Sequence, residues 1–223
     1  MDAKQAAGEA AAALVEDGMR VGLGTGSTAR HVVAALGLRV REGLRIVGVP
    51  TSRATAEQAT ALGIPLAEPD EPIDLAIDGA DEVETGTLRL IKGLGGALVR
   101  EKIVAQLARR FVVVADASKI VARLGERVSL PVEVVRYGLA ATTRRVAELG
   151  CTPVLRATGG EPFVTDNGNV ILDCGFGLIG DPFTLERSLR AIAGVVGTGL
   201  FLDMAERAFV ADADGGVAEM IRA

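Results

Sequence analysis

The sequence predicts an α/β protein in two parts: a parallel sheet covered by helices on both faces, and a smaller α+β unit inserted before the last elements of the first. Three observations predict it. Near-continuous aliphatic runs, "MRVGLG", "LRIVGVP", "IDLAIDG", "LRLIKG" and "FVVVAD", are each followed by a glycine or acidic turn and then a helical stretch, the pattern of parallel strands buried on both faces. From about residue 127 the rhythm changes to strand, helix, strand, hairpin, helix, strand. Hydrophobic residues make up 49% of the 223, with 28 glycines and only 3% aromatics, a composition that fits an alanine- and valine-rich core and argues against disorder.

Taken in order, "MDAKQAAGEAAAALVEDG" reads as a helix. It carries acids and begins without a basic region, so it is not a signal peptide. The five aliphatic runs then build a doubly wound, Rossmann-like sheet. In such sheets ligands bind beyond the carboxyl ends of the strands, so the loops "GTGST", "PTS", "DGADE", "KGLGG" and "DASK" should converge. In the second part "VSLPVEVV" is a strand, Tyr137 to Leu149 a helix, "TPVLRA" a strand, and "PFVTDNGNVILDC" a hairpin turning at Asn167-Gly168, a strong turn signal. A helix from about Asp181 and the strand "GVVGTGLF" complete β-α-β-β-α-β, the ferredoxin-like pattern. The tail, "RAFVADADGGV", reads as a further strand and turn returning to the first unit. The predicted division is residues 1–126 plus 200–223 for the Rossmann-like domain and 127–199 for the ferredoxin-like one.

Charge and composition exclude several classes. A net charge of −5 leaves no electrostatic footprint for nucleic acid. No apolar run approaches the roughly 20 residues that span a bilayer, so no membrane partner is expected and the predicted location is cytoplasmic. Cys151 and Cys174 stand apart from other ligand residues in a chain with a single histidine, His31, and read as reduced structural thiols. With one histidine, a Ser-His-Asp triad has little support and a Cys-His pair none.

"VGLGTGSTAR" follows a strand and opens a helix. Gly22, Gly24 and Gly26 allow a tight turn, while Ser27 and Thr28 add hydroxyls at a helix N-terminus, which suits a phosphate. It lacks the Gly-Lys-Ser/Thr of a Walker loop. Gly24-x-Gly26-x-x-Ala29 matches a relaxed dinucleotide fingerprint, but the second strand ends in "VGVPTS" without a ribose-binding acid. The alternative is a glycine turn with a Ser/Thr cap and no ligand.

"IDLAIDGADEVE" places Asp78 and Asp81 at the mouth of a buried strand, where both carboxyls can project into a cleft; a solvated acidic loop is the alternative. Glu82 and Glu84 are expected to be exposed. The Asp-x-x-Asp spacing lacks the Asp-x-Asp of aspartyl-phosphate enzymes, and no metal cluster is visible, so no metal or cofactor is expected. In "IKGLGGALVREK", Lys92 stands where a strand gives way to glycines, placed to pair with an oxyanion or an aspartate. Glu101 follows on a helix among Leu98, Val99 and Ile103; it is either a buried proton acceptor with a raised pKa or an ordinary surface acid. Arg100 and Lys102 read as surface or ion-pair residues. A phosphate cradle, two or three carboxylates and a lysine suit proton abstraction beside a carbonyl on a phosphorylated substrate.

The motifs "GLGTGSTA", "DGADEV", "KGLGGALVREK", "DASK" and "VTDNGN", in this order and spacing, resemble the type A ribose-5-phosphate isomerase family almost end to end. The resemblance implies interconversion of ribose 5-phosphate and ribulose 5-phosphate in the pentose phosphate pathway without metal or cofactor, by a homodimer or homotetramer. It implies Glu101 as the general base that moves a proton between C1 and C2, Asp81 as carrier of protons between the sugar oxygens, and Lys92 as stabiliser of the enediolate. The substrate-binding loops it implies are Thr25, Gly26, Ser27 and Thr28; Asp78, Gly79, Ala80 and Asp81; and Lys92, Gly93, Leu94 and Gly95. Lys119 and Lys4 are implied as further contacts, Lys4 toward the phosphate. The family loop usually reads Lys-Gly-Gly-Gly, and Leu94 departs from it: leucine disfavours positive φ and adds bulk near the sugar. Val99, where the family often has threonine, is expected to be neutral. The rival readings are a nicotinamide-dependent oxidoreductase, from the relaxed glycine fingerprint, and a non-catalytic sugar-phosphate sensor.

Overall fold

The computed structural model describes residues 3–212 and 214–222. In the first half, α1 (Ala3–Ala12), β1 (Arg20–Leu23), α2 (Ala29–Arg41), β2 (Val47–Pro50), α3 (Arg53–Ala61) and β3 (Leu75–Gly79) alternate as expected. After β4 (Glu82–Glu84) and β5 (Leu90–Ile91) come α4 (Leu98–Leu107), β6 (Phe111–Asp116) and β7 (Ile120–Val121). The second unit contains β8 (Leu130–Val134), α5 (Leu139–Ala147), β9 (Thr152–Leu155), β10 (Ala157–Thr158), β11 (Glu161–Pro162), β12 (Val170–Gly175), α6 (Pro182–Arg190) and β13 (Val195–Thr198). The chain closes with β14 (Leu200–Phe201), β15 (Arg207–Ala211) and β16 (Val217–Ile221).

The main sheet has six strands in the order β16-β15-β6-β3-β1-β2. All pairs are parallel except β15 with β16. Apart from the exposed edge strand β16, the strands are free of exposed residues because helices cover both faces. One apolar cluster joins α1 and α2 to Val21, Leu23, Leu75, Ile77, Val112 and Val114; the other packs Val104 and Ala105 of α4 on Ala76, Val113 and Ala115. Because β2 and β3 flank β1 on opposite sides, the chain reverses winding direction there, and the crevice beyond the ends of β1 and β3 is the switch point where such sheets bind ligands.

One of the five aliphatic runs leaves this sheet. β5, from "LRLI", pairs antiparallel with β4 and with β14, in a small four-stranded sheet of order β14-β5-β4-β7. The reason is connection length: the link from β4 turns at Gly86, φ +77°, and is far too short for the crossover that parallel pairing requires. The second unit forms an antiparallel four-stranded sheet of order β13-β8-β12-β9 with α5 and α6, the ferredoxin-like arrangement. The Asn167-Gly168 turn forms, with Thr165 and Asn169 bonded across it, but the hairpin is held by a single bridge between Val164 and Val170, and β12 runs between β8 and β9 instead. Its core, built on Leu130, Val132, Val134, Leu172 and Leu189, is distinct from the two clusters of the main sheet and also takes in Ile91, Val121 and Leu200. Cys151 is half-buried, Cys174 buried, and both are free. Among the described residues no helix is long and apolar enough to cross a membrane.

Candidate active site

The register that pairs Leu23 with Ile77 brings Gly24 alongside Asp78. A Cβ on Gly24 would lie 2.2 Å from Asp78 Oδ1, so only glycine admits the carboxylate. Asp78 then fixes the loop: Oδ1 accepts from the amides of Thr25 at 3.0 Å and Gly79 at 2.7 Å. The Thr25 hydroxyl is within 2.7 Å of Thr51, 2.8 Å of Ser52 and 3.0 Å of Thr55. At the end of β2, where a dinucleotide site would carry a ribose-binding acid, "PTS" thus turns its hydroxyls onto the glycine loop. Thr25 to Thr28 lead into α2, whose N-terminus carries the positive end of the helix dipole and favours an anion, while the Arg30 and His31 amides close onto the Gly26 and Thr28 carbonyls at 3.0 Å. Lys4 of α1 reaches the same loop, donating to Ser27 Oγ at 3.1 Å.

Lys92 follows β5 directly and is 2% exposed. Its ammonium lies 3.1 Å from Asp78 Oδ2 and 3.3 Å from Glu101 Oε1, and also donates to the Gly79 carbonyl. Its three donors are thereby committed, and the Phe201 ring lies 5.4 Å away. Glu101 is in the first turn of α4 and 5% exposed. Its second oxygen, Oε2, is buried and has no hydrogen-bond partner. Burial raises the Glu101 pKa most, the Asp78 charge adds to this, and Lys92 opposes it, leaving the carboxyl at about 8. Burial likewise raises Asp78 against the pull of Lys92 and two backbone amides. Burial alone would lower Lys92, but Asp78, Glu101 and Asp81 outweigh it and hold the ammonium above the ordinary lysine value. The electrostatic logic is a count of charges: one cation faces three acids in a low-dielectric pocket, so one acid is kept protonated near neutrality.

A cleft of about 460 Å³ opens above this group. Its lining draws on four of the five predicted loops, all but "PTS": Thr25 to Thr28, then Gly79, Ala80 and Asp81, then Lys92, Gly93 and Gly95, with Glu101 and Lys119. Asp81 Oδ2 accepts from the Leu94 amide at 2.9 Å. Two expected members stand elsewhere. Asp78 is 3% exposed and lies beneath the cleft floor, because Gly24 lets it withdraw onto backbone amides. Leu94 is 43% exposed and is not among the lining residues. The described non-glycine residues at positive φ are Leu88 and Asp203, so the leucine at 94 neither strains the loop nor crowds the cleft. The left-handed positions are Gly93 and Gly96. Val99 faces Gly197, away from the cleft.

Glu82 is also corrected. It is fully buried, taking the amides of Gly125, Arg127 and Val128 at 2.6, 2.6 and 3.0 Å. Glu84 is largely covered, accepting from Thr87 at 2.6 Å. Both were expected to be exposed, but the segment entering the second unit covers them and needs its amides satisfied. Arg100 pairs with Asp166, and the mostly buried Lys102 with Glu186 at 3.2 Å.

Sequence reasoning missed Phe201, which arrives from beyond the second unit, and Arg156. Arg156 Nη1 donates to the carbonyls of Gly93 at 2.8 Å and Leu94 at 2.9 Å, and its guanidinium is forked onto Asp173. It therefore holds the loop whose amide holds Asp81. No local pattern marks either residue; only the sheet registers bring them in.

A doubly wound fold with a glycine-bounded anion loop, a buried lysine and a carboxylate of raised pKa at its switch point defines a class, that of sugar-phosphate enzymes working by proton transfer. The chain belongs to the ribose 5-phosphate isomerase A (phosphoriboisomerase A) family, whose model matches residues 47–215. It is 56% identical over 216 residues to the ribose-5-phosphate isomerase A of Synechococcus sp., covering 95% of this chain and 94% of that one. The solved ribose 5-phosphate isomerase A of Methanocaldococcus jannaschii superposes with a TM-score of 0.94 at 41% identity, covering 99% of each chain. A solved D-ribose-5-phosphate isomerase in complex with phospho-erythronic acid superposes at 0.95 with 38% identity, covering 99% of this chain and 98% of that one.

Proposed function

We propose that this chain interconverts D-ribose 5-phosphate and D-ribulose 5-phosphate through an enediolate, in the non-oxidative branch of the pentose phosphate pathway. The observation that carries the reading is the free oxygen of Glu101, buried at the cleft and backed by Lys92. Glu101 as carboxylate takes the proton from C2 of the open-chain aldose; the C1 carbonyl oxygen gains the charge; the same carboxyl returns the proton to C1. Asp81 moves the proton between O2 and O1. Lys92 supplies fixed positive charge under the developing oxyanion, the preorganised kind of stabilisation that needs no rearrangement during reaction. Thr25, Gly26, Ser27 and Thr28 bind the substrate with Lys4 near the phosphate, while Gly79, Ala80, Gly93, Gly95 and Lys119 complete the contacts. Asp78 and Leu94 serve from behind, one through its carboxylate and the other through its amide.

The chemistry asks for no cofactor. Two domains, 1–126 with 200–223 and 127–199, are proposed from the separate sheets; a homodimer or homotetramer in the cytoplasm follows the family resemblance. The deciding experiment is a direct assay of ribose 5-phosphate conversion to the ketose, with and without EDTA. Ketose formation indifferent to the chelator is expected. Tight NAD(H) binding, or sugar-phosphate binding without turnover, would overturn the reading in favour of an oxidoreductase or a sensor.

A further inference from the structure

The turn Thr165 to Asn169 belongs to the second sheet, yet Asp166 and Asn167 also reach the first unit. A short hairpin turn needs little more than a glycine in its left-handed position, and this one carries much more. Glu133 on β8, fully buried, gathers Thr165 Oγ1 at 3.1 Å, Asn167 Nδ2 at 3.1 Å and Asn169 Nδ2 at 2.8 Å on a single oxygen. A carboxylate buried without a cation is costly, which is difficult to account for if the turn only reverses the chain. What it braces is the outer face of the turn. There Asn167 Oδ1 accepts from Arg100 Nε at 2.9 Å, and the Asp166 carbonyl accepts from Arg100 Nη2 at 3.1 Å. The Asp166 carboxylate lies 3.6 Å from Arg100 Nη1 and takes the Arg53 amide at 2.8 Å. Arg100 is the residue before Glu101 in the first turn of α4.

We infer that the Thr165–Asn169 turn is a positioning element for catalysis, in which Asp166 and Asn167 grip Arg100 and so fix the rotation of α4 that aims Glu101 into the cleft. Asn167 connects the two halves of the device directly, receiving Arg100 on its oxygen and giving its amide hydrogens to Glu133. The planar fork of Arg100 sets direction as well as distance, which a lysine cannot reproduce. Half-exposed ion pairs contribute little energy, so the contribution is angular: a proton acceptor displaced by about 1 Å can lose on the order of 10²-fold in rate. The inference rests on Glu101 being the proton carrier.

The test measures steady-state isomerisation of ribose 5-phosphate and melting temperature for the full chain carrying Asp166→Asn, Asn167→Ala, Arg100→Lys or Arg100→Ala, each alone and combined with Glu101→Gln. We expect kcat to fall about 10-fold or more in Asn167→Ala and Arg100→Ala, with KM much less affected, and Arg100→Lys to recover only part of the loss. In the Glu101→Gln background the same changes should cost nothing further, because there is no carboxylate left to aim. Asp166→Asn retains an acceptor for the Arg53 amide and keeps the series readable if Asn167→Ala fails to fold. Lowered melting temperature with unchanged kcat, or an equal loss of rate in the Glu101→Gln background, would overturn the inference alone. Near-normal turnover in Glu101→Gln by itself would remove the assignment on which it rests.

Discussion

Lys92 and Glu101 face each other across 3.3 Å beneath the cleft, and the carboxyl oxygen that does not touch the ammonium is the one left without a hydrogen bond. The lysine thus engages one oxygen and leaves the other unpaired, which suits the proton acceptor proposed above.

Replacing Glu101 by Gln removes the proton acceptor while keeping its size. Turnover should fall on the order of 10²-fold or more, with substrate affinity, read by calorimetric titration of a non-reacting sugar phosphate, nearly unchanged. Near-normal turnover would remove Glu101 from the mechanism.

The same variant should be more stable than the parent at high pH. The Glu101 pKa is raised in the folded state, from 4.5 to about 8, so between those values the unfolded chain has lost a proton that the folded chain keeps. Stability attributable to this group is therefore fully present below the unfolded pKa and declines as pH rises toward 8, after which the loss is complete. Glutamine abolishes the decline. Melting temperatures should differ little at pH 5, and Glu101→Gln should exceed the parent by about 2–4 °C near pH 8 if only about 1 kcal/mol is recovered. An unchanged difference across that range contradicts the assignment.

Activity must follow the same ionisation with the opposite sense, since the base works deprotonated. The value of kcat/KM should rise about tenfold per pH unit on the acid side and level off near pH 8. A plateau extending down to pH 6 would mean that Glu101 is already ionised in the free enzyme.

Lys92→Met leaves Asp78 and Glu101 buried without their cation. Removing one partner of a buried pair costs about 3–5 kcal/mol, so chemical denaturation should show a loss of that order together with loss of turnover. A stability change below about 1 kcal/mol would show that the acids are satisfied in another way.

The glycine loop should respond unequally to substitution. Leu94→Gly is expected to leave kcat within a few-fold, since that side chain points away from the cleft. Gly93→Ala should be severe, because Gly93 has φ +107° and its Cβ would lie 2.8 Å from Leu98. Equal sensitivity at the two positions would mean that Leu94 touches the substrate after all.

Much of this protein is local in origin. Alternating aliphatic runs and helices, Asn167-Gly168, the acidic strand end at Asp78 and the glycines after Lys92 determined an α/β sheet with an inserted α+β unit, and gathered the cleft residues by the rule that loops at strand ends converge. The run at Leu90–Ile91 could not be placed from its residues, because an aliphatic dipeptide fits either sheet and only the short link from Glu84 forces it out of the parallel one. Whether Glu101 was a buried base or a surface acid was equally undecided in the sequence. Its neighbours at helical spacing suit both; its burial was decided by Lys92 and Asp78, brought within reach by strand register. The same holds for Asp78 below the floor, for buried Glu82 and for Arg156 on the loop carbonyls. Periodicity reports which face of an element is apolar; burial and pKa depend on what other segments bring to that face, and only the tertiary structure decides this.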